Sequence, residues 1–194
     1  MNNLPLLLDL SIKGDLKTLQ HAANSNTKIY LVLGARGSGK TAIGFRILEN
    51  LTLLKHKKAQ ALNFPSNDLP EWIERITELE QISNNSVLIV DEGTIKFDAK
   101  NHFSFESKQL KNLMVVSRHK DIDLIMISQN SANIDLNVIR LADIVIIKKP
   151  SMMQIELERK QLKSMFEDAV KYLNGSKKYA YIVSEQFKGI IKNG

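Results

Sequence analysis

The chain has no cysteine. Disulfides, thiol nucleophiles and zinc–thiolate sites are therefore excluded. Internal repeats and low-complexity tracts are missing too. No apolar run approaches the roughly 20 residues that span a bilayer, so direct membrane insertion is not expected. The opening MNNLPLLLDL has an apolar patch but no basic segment before it, and Asp9 interrupts it. It does not read as a signal peptide, and a cytoplasmic setting is expected. What is present is ordinary for a soluble globular protein: 43% hydrophobic and 25% charged residues. The length of 194 residues suits one domain, expected over 1–194, with its core at about 28–150 and an extension at 151–194. Lys plus Arg is 27 against 21 for Asp plus Glu, a net charge of +6. That balance favours anionic partners such as nucleotide phosphates, nucleic acid or acidic lipid.

Strand-like and helix-like segments alternate, which predicts an α/β fold with a mainly parallel sheet flanked by helices. KIYLVLG (28–34), KAQALNF (58–64), SVLIVDEG (86–93), DLIMISQN (123–130) and DIVIIKK (143–149) read as at least five strands. Near-continuous apolar character suits strands covered on both faces. Helices are predicted through AIGFRILENL, SKQLKNLMVVSRH and LNVIRLA. Another is predicted from Asn67-Asp68-Leu69-Pro70 through EWIERITELEQI, where a polar cap and an early proline signal a start. Apolar spacing predicts a helix from Met152 to Leu173, stopped at Asn174-Gly175. KYAYIVSEQFKGIIK reads as two short strands or a hairpin.

GARGSGKT (34–41) follows the first clear strand and precedes a helix. It fits the phosphate-loop pattern G-x-x-x-x-G-K-[ST] at every fixed position. Phosphate oxygens need several convergent donors. A glycine-permitted wrap of backbone N–H groups and the positive end of a helix supply them. The expected nucleotide-binding stretch is Gly34, Ala35, Arg36, Gly37, Ser38, Gly39, Lys40, Thr41 and Ala42. Lys40 would reach the β- and γ-phosphates, and Thr41 would offer its hydroxyl to Mg²⁺.

Asp91 and Glu92 stand together at the end of an apolar strand, where open α/β sheets place ligands. Asp91 would orient the Mg²⁺ shell, and Glu92 would align the attacking water or accept its proton. Gln129 ends another apolar strand and could hydrogen-bond water and γ-phosphate, with Ser128 and Asn130 as neighbouring candidates. A plain strand-end amide is the alternative. Arg118, at a helix end before that strand, is a candidate for stabilising charge on a transferred phosphoryl group. It could equally be a surface arginine favoured by the helix dipole. His119 reads as structural or solvent-facing.

GARGSGKT, then VLIVDE, then SRH…DLIMISQN in this order resemble the FtsK–HerA superfamily of DNA-pumping ATPases. The nearest flavour is the compact viral genome-packaging ATPases. The filamentous-phage assembly ATPases related to zonula occludens toxin are also similar. The resemblance covers roughly residues 28–150. It implies a RecA-like P-loop core that hydrolyses ATP with Mg²⁺. Lys40 and Thr41 match its phosphate and metal contacts, Asp91 its Mg²⁺-orienting acid, Glu92 its catalytic glutamate and Gln129 its γ-phosphate sensor. Arg118 matches the arginine that acts in trans between subunits. The implied partners are double-stranded DNA, bound without sequence preference, other copies of the chain in a hexamer-like ring, and capsid or portal proteins. A viral member would work in the host cytoplasm or with the virion.

DNA contact is open among three segments. GTIKFDAKNHFSFESK carries Lys96, Lys100 and Lys108 with Phe97, Phe103 and Phe105. Lys55, Lys57 and Lys58 cluster after the first helix, and the C-terminal tail is basic. Two rival functions remain at this stage. A small-molecule or nucleoside kinase would need an arginine-bearing lid, and the second half offers only Arg118, Arg140 and Arg159. A nucleotide-gated assembly protein would keep the same motifs without moving DNA.

Overall fold

A computed structural model describes residues 6–65, 67, 69–91, 108–129, 131, 134 and 136–193. The strands are β1 (Leu6–Lys13), β2 (Ile29–Leu33), β3 (Lys58–Leu62), β4 (Glu74–Ile76), β5 (Ser86–Asp91), β6 (Asp123–Ile127), β7 (Ile144–Ile147), β8 (Tyr179–Ser184) and β9 (Lys188–Asn193). The helices are α1 (Leu16–Asn24), α2 (Lys40–Lys55), α3 (Lys108–His119), α4 (Leu136–Leu141), α5 (Met152–Leu157) and α6 (Lys160–Leu173). All nine strands form one sheet in the order β1-β9-β8-β7-β2-β6-β5-β3-β4. The run from β7 to β4 is parallel, and β8, β9 and β1 extend it antiparallel.

β2 shows why the sequence folds this way. Its five residues are all buried. Ile29, Leu31 and Leu33 pack into one apolar layer with Leu113, Val138 and Phe166, from α3, α4 and α6. Tyr30 and Val32 point to the other layer, with Leu19 of α1 and Ile43, Ile47 and Leu48 of α2. Successive side chains of a strand face opposite ways, so a strand covered twice must be apolar throughout. β6 lies between β2 and β5. The phosphate-loop strand and the acid-tipped strand are therefore separated by the strand that leads into Gln129.

Two helix predictions need correction. Residues 71–82 form no α-helix: β4 lies parallel to β3, and a single 3-10 turn follows at Leu79–Gln81. Ile73 and Ile76 are buried and Leu79 packs partly on the core, a spacing of three that imitates a helical stripe. The strand is selected by tertiary demand. Gln60 of β3 is fully buried and its amide must be satisfied. It donates to the Glu74 carboxylate, to the Gln81 carbonyl at 3.2 Å and to Ser83 Oγ at 3.2 Å, and accepts from Ser83 N at 2.9 Å.

The helix expected over 152–173 is two helices. Glu158 and Arg159 are extended, with ψ of 151° and 148°. Glu158 is buried there and accepts hydrogen bonds from the Ser131 hydroxyl and from Arg159 N at 3.0 Å. Apolar spacing continued across the break because both helices present an apolar side. The C-terminal hairpin is present as β8–β9. β1 joins that hairpin through β9, from the apolar patch of the opening residues.

Candidate functional site

The phosphate loop connects β2 to α2 along the carboxyl edge of the parallel strands. Gly34, Gly37 and Gly39 have φ of 145°, 69° and 93°, values that side-chain-bearing residues avoid. Gly39 caps α2 with no side-chain bond to the helix N-terminus, so the first-turn amides stay available to a ligand. Buried Ser38 Oγ has no hydrogen-bond partner among the described residues. Lys40 is buried, and its ammonium donates to the Ala35 carbonyl at 2.8 Å. Arg36, Gly37, Thr41 and Ala42 are exposed.

Thr41 Oγ1 donates to Asp91 Oδ2 at 3.3 Å. The hydroxyl opens α2 and the carboxylate ends β5. Among the described residues, no group of three or more His, Asp or Glu could hold a metal alone. One hydroxyl and one carboxylate beside a phosphate loop suit Mg²⁺, which binds through few protein ligands and takes substrate phosphates and water for the rest. The donor set therefore fits a magnesium–polyphosphate.

Gln129 follows β6 and is exposed. Its carbonyl accepts from Gln154 Nε2 of α5 at 2.8 Å. Gln154 is itself fixed by a reciprocal cap: its N–H donates to Ser151 Oγ at 3.1 Å, and its Oε1 accepts from Ser151 N at 3.0 Å. Ser128 is buried and its N–H donates to Val32 O at 3.0 Å, beside the phosphate loop. Glu92, Asn130 and residues 93–107 lie outside the described residues.

Arg118 is not brought to this edge. It lies in the last turn of α3, before β6 begins, and lines a groove of about 310 Å³ with Lys28, Arg140, Asp143 and Glu185. β6 has five residues, which places Arg118 on the order of 15 Å from the phosphate loop along the strand. His119 is exposed.

The lysines at the end of α2 and just after it do not present a free basic face. Lys55 Nζ lies 2.7 Å from Asp123 Oδ1, and Lys57 Nζ lies 2.9 Å from Asp123 Oδ2 and 3.0 Å from Asp121 Oδ1. Lys58 pairs with Glu74 at 2.9 Å. Sequence reading passed over Lys148, a buried lysine against the phosphate loop. The available signal was its place, the first polar residue after an apolar strand.

No protein-family model matches the chain, and no curated protein sequence does. Solved structures do. The DNA-packaging ATPase B204 of Sulfolobus turreted icosahedral virus superposes with a TM-score of 0.59 at 17% identity, covering 86% of this chain and 98% of that one. B204 of Sulfolobus turreted icosahedral virus 2, a genome-packaging NTPase solved with ATP-γS, superposes at 0.61 with 14% identity, over 86% and 97% of the two chains. The chain thus has the fold of the viral packaging ATPases that its motifs resemble. The N-terminal domain of zonular occludens toxin from Neisseria meningitidis aligns at a TM-score of only 0.36, with 19% identity over 63% of this chain and 77% of that one.

Proposed function

We propose that this chain is a Mg²⁺-dependent ATPase that moves double-stranded DNA, in the packaging of a viral genome. The observation that carries the reading is the approach of Thr41 to Asp91 at 3.3 Å, beside Lys40 and across the intervening strand β6. Lys40 leaves the Ala35 carbonyl to bind the β- and γ-phosphates as a point charge. Thr41 and Asp91 would hold Mg²⁺, which would supply neutralisation of phosphate charge there. Glu92, next after Asp91, aligns the attacking water, and Gln129 bonds to the γ-phosphate. Arg118 sits far from its own chain's phosphate loop, which supports a role at the nucleotide of an adjacent copy in a ring. B204 packages DNA and has this fold, which supports DNA as the cargo. Contacts to duplex phosphates are sequence-nonspecific and salt-sensitive. Capsid or portal proteins would receive the motor.

The test is the ATPase rate with and without duplex DNA across salt concentrations. Mg²⁺-dependent turnover stimulated by DNA and weakened by salt is expected. Lys40→Ala should abolish turnover, and Glu92→Gln should retain bound ATP without hydrolysing it. Subunits carrying Arg118→Ala should poison mixed assemblies. Turnover that ignores DNA at every salt concentration would favour an assembly protein gated by nucleotide.

A further inference from the structure

Lys148 follows β7 and is completely buried. Its backbone is stitched to the base of the phosphate loop: Lys148 N donates to Leu33 O at 2.8 Å, and Ala35 N donates to Lys149 O at 3.2 Å. Its side chain runs beneath the loop. A Cβ added to Gly34 would stand 2.8 Å from the Lys148 carbonyl oxygen and 3.0 Å from its Cβ. One added to Gly39 would stand 3.5 Å from Lys148 Cε and 3.9 Å from Nζ. The ammonium donates to the carbonyls of Lys177 at 2.5 Å and Tyr179 at 2.7 Å, where the chain enters β8.

Burying an ammonium is costly, and an apolar side chain could fill the same volume without that cost. The cost is offset if the charge serves a neighbour. The neighbour here is a loop whose geometry suits a polyanion. We propose that Lys148 is a positioning residue for the phosphate loop, its ammonium bracing the loop against the entry to β8 and adding positive charge behind the bound polyphosphate. The inference rests on the nucleotide-binding reading of that loop.

Burial holds the Lys148 ammonium down at about 8. A bound polyphosphate favours the charged form and raises that value. Affinity is then greatest below pH 8 and falls as the free protein loses this proton. The ionisable groups on the surrounding elements are Arg36 and Lys40 of the loop, Lys149 next in the chain, and Lys177, Lys178 and Tyr179 approaching β8. Among these described groups none is a carboxylate or an imidazole, and Asp91 stands three strands away.

The experiment is calorimetric titration of the full chain with Mg²⁺–ATP-γS between about pH 7.5 and 9.5, a window set by that value. Wild type should lose affinity by up to about tenfold per pH unit above 8, the limit for one proton. Lys148→Met should bind about tenfold more weakly at pH 7.5, with a flat profile. Lys148→Arg should restore the affinity and stay flat, since arginine keeps its charge throughout. The inference is overturned if Lys148→Met keeps wild-type affinity and profile and loses only thermal stability. It is also overturned if Lys148→Arg keeps the wild-type fall above pH 8, an outcome readable even where the Met variant does not fold. Failure of wild type to bind at any pH overturns the nucleotide reading itself, and this inference with it.

Discussion

Thr41 and Asp91 stand 50 residues apart in the chain and meet at 3.3 Å, hydroxyl to carboxylate. One opens a helix and the other ends a strand, so the sheet alone brings them together. If they share a magnesium ion, removing either should weaken nucleotide binding only when magnesium is present. Thr41→Ala and Asp91→Asn are each expected to lose about 1.5–3 kcal/mol, roughly 10- to 150-fold in affinity. With excess EDTA the variants and wild type should bind alike. Titration of each with and without magnesium checks this, and an equal loss in both conditions would remove the shared metal.

Gly44, in the second turn of α2, lets that helix lie close to the sheet. A Cβ there would stand 2.7 Å from Ile127 Cδ1 and 3.1 Å from Ile89 Cδ1. Alanine would gain about 1 kcal/mol of helix propensity against the crowding, so it is a poor probe. Valine adds bulk at the same contact and has less helix preference than alanine. Gly44→Val is expected to cost about 1–3 kcal/mol through overpacking. A melting temperature lowered by about 2–12 °C, at roughly 2–4 °C per kcal/mol, would bear this out. An unchanged melting temperature would mean that α2 can rise from β5 and β6 without penalty.

The strand–loop–helix unit at 28–55 was legible because everything that specifies it is local: an apolar run, a glycine pattern, a lysine and a threonine. Asp91 and Gln129 were legible as polar ends of apolar strands. Features fixed by distant residues were not. β1 acquires its strand character from β9, at the other end of the chain. The spacing of Ile73, Ile76 and Leu79 fits a helix as well as the observed strand and turn. Only the buried amide of Gln60 distinguishes them, and its partners are not visible in a linear pattern. The break at Glu158 is likewise set by Ser131, on the far side of β7 in sequence.

The lysines at the end of α2 and just after it were open in the sequence between DNA contact and a solvated turn. Asp123 decides the role of Lys55 and Lys57. Its side chain is 0% exposed. It accepts from Lys55 Nζ at 2.7 Å and from Lys28 N at 2.9 Å, and Lys57 Nζ stands 2.9 Å from its other oxygen. Lys57 is itself buried. Removing one partner of a buried pair leaves the other charge uncompensated, at a cost of about 3–5 kcal/mol. Asp123→Asn is therefore expected to cost that much. Lys58→Ala should cost less than about 1 kcal/mol, because its pair with Glu74 is exposed. Urea unfolding of both variants tests the contrast, and similar losses would mean that burial does not separate them.

Asp168 of α6 fastens that helix to the C-terminal hairpin. Its Oδ2 lies 2.7 Å from Lys188 Nζ of β9 and accepts from Tyr181 OH of β8 at 3.2 Å. The hydrogen bond from Lys188 holds the Asp168 carboxyl below its ordinary value of 3.8. The reciprocal bond holds the Lys188 ammonium above its ordinary 10.5. A lowered carboxyl stabilises the fold above its unfolded value, and that contribution disappears as pH falls through the folded value. A raised ammonium stabilises below 10.5, and that contribution disappears as pH rises through its folded value. The pair therefore acts across the whole interval between, and its acid loss falls below pH 4 on the scale set by Asp168. Both side chains are about a third exposed, at 35% and 38%, so solvent screening limits the contribution to about 1 kcal/mol or less. Asp168→Asn should lower stability by that amount at pH 7 and shrink the further loss between pH 4 and 2.5, making the acid limb of the stability curve shallower. Urea unfolding at closely spaced pH values reads both effects. An acid limb as steep in the variant as in wild type would assign the acid sensitivity to other carboxylates and leave α6 held by its apolar face, Leu162, Phe166, Ala169 and Leu173.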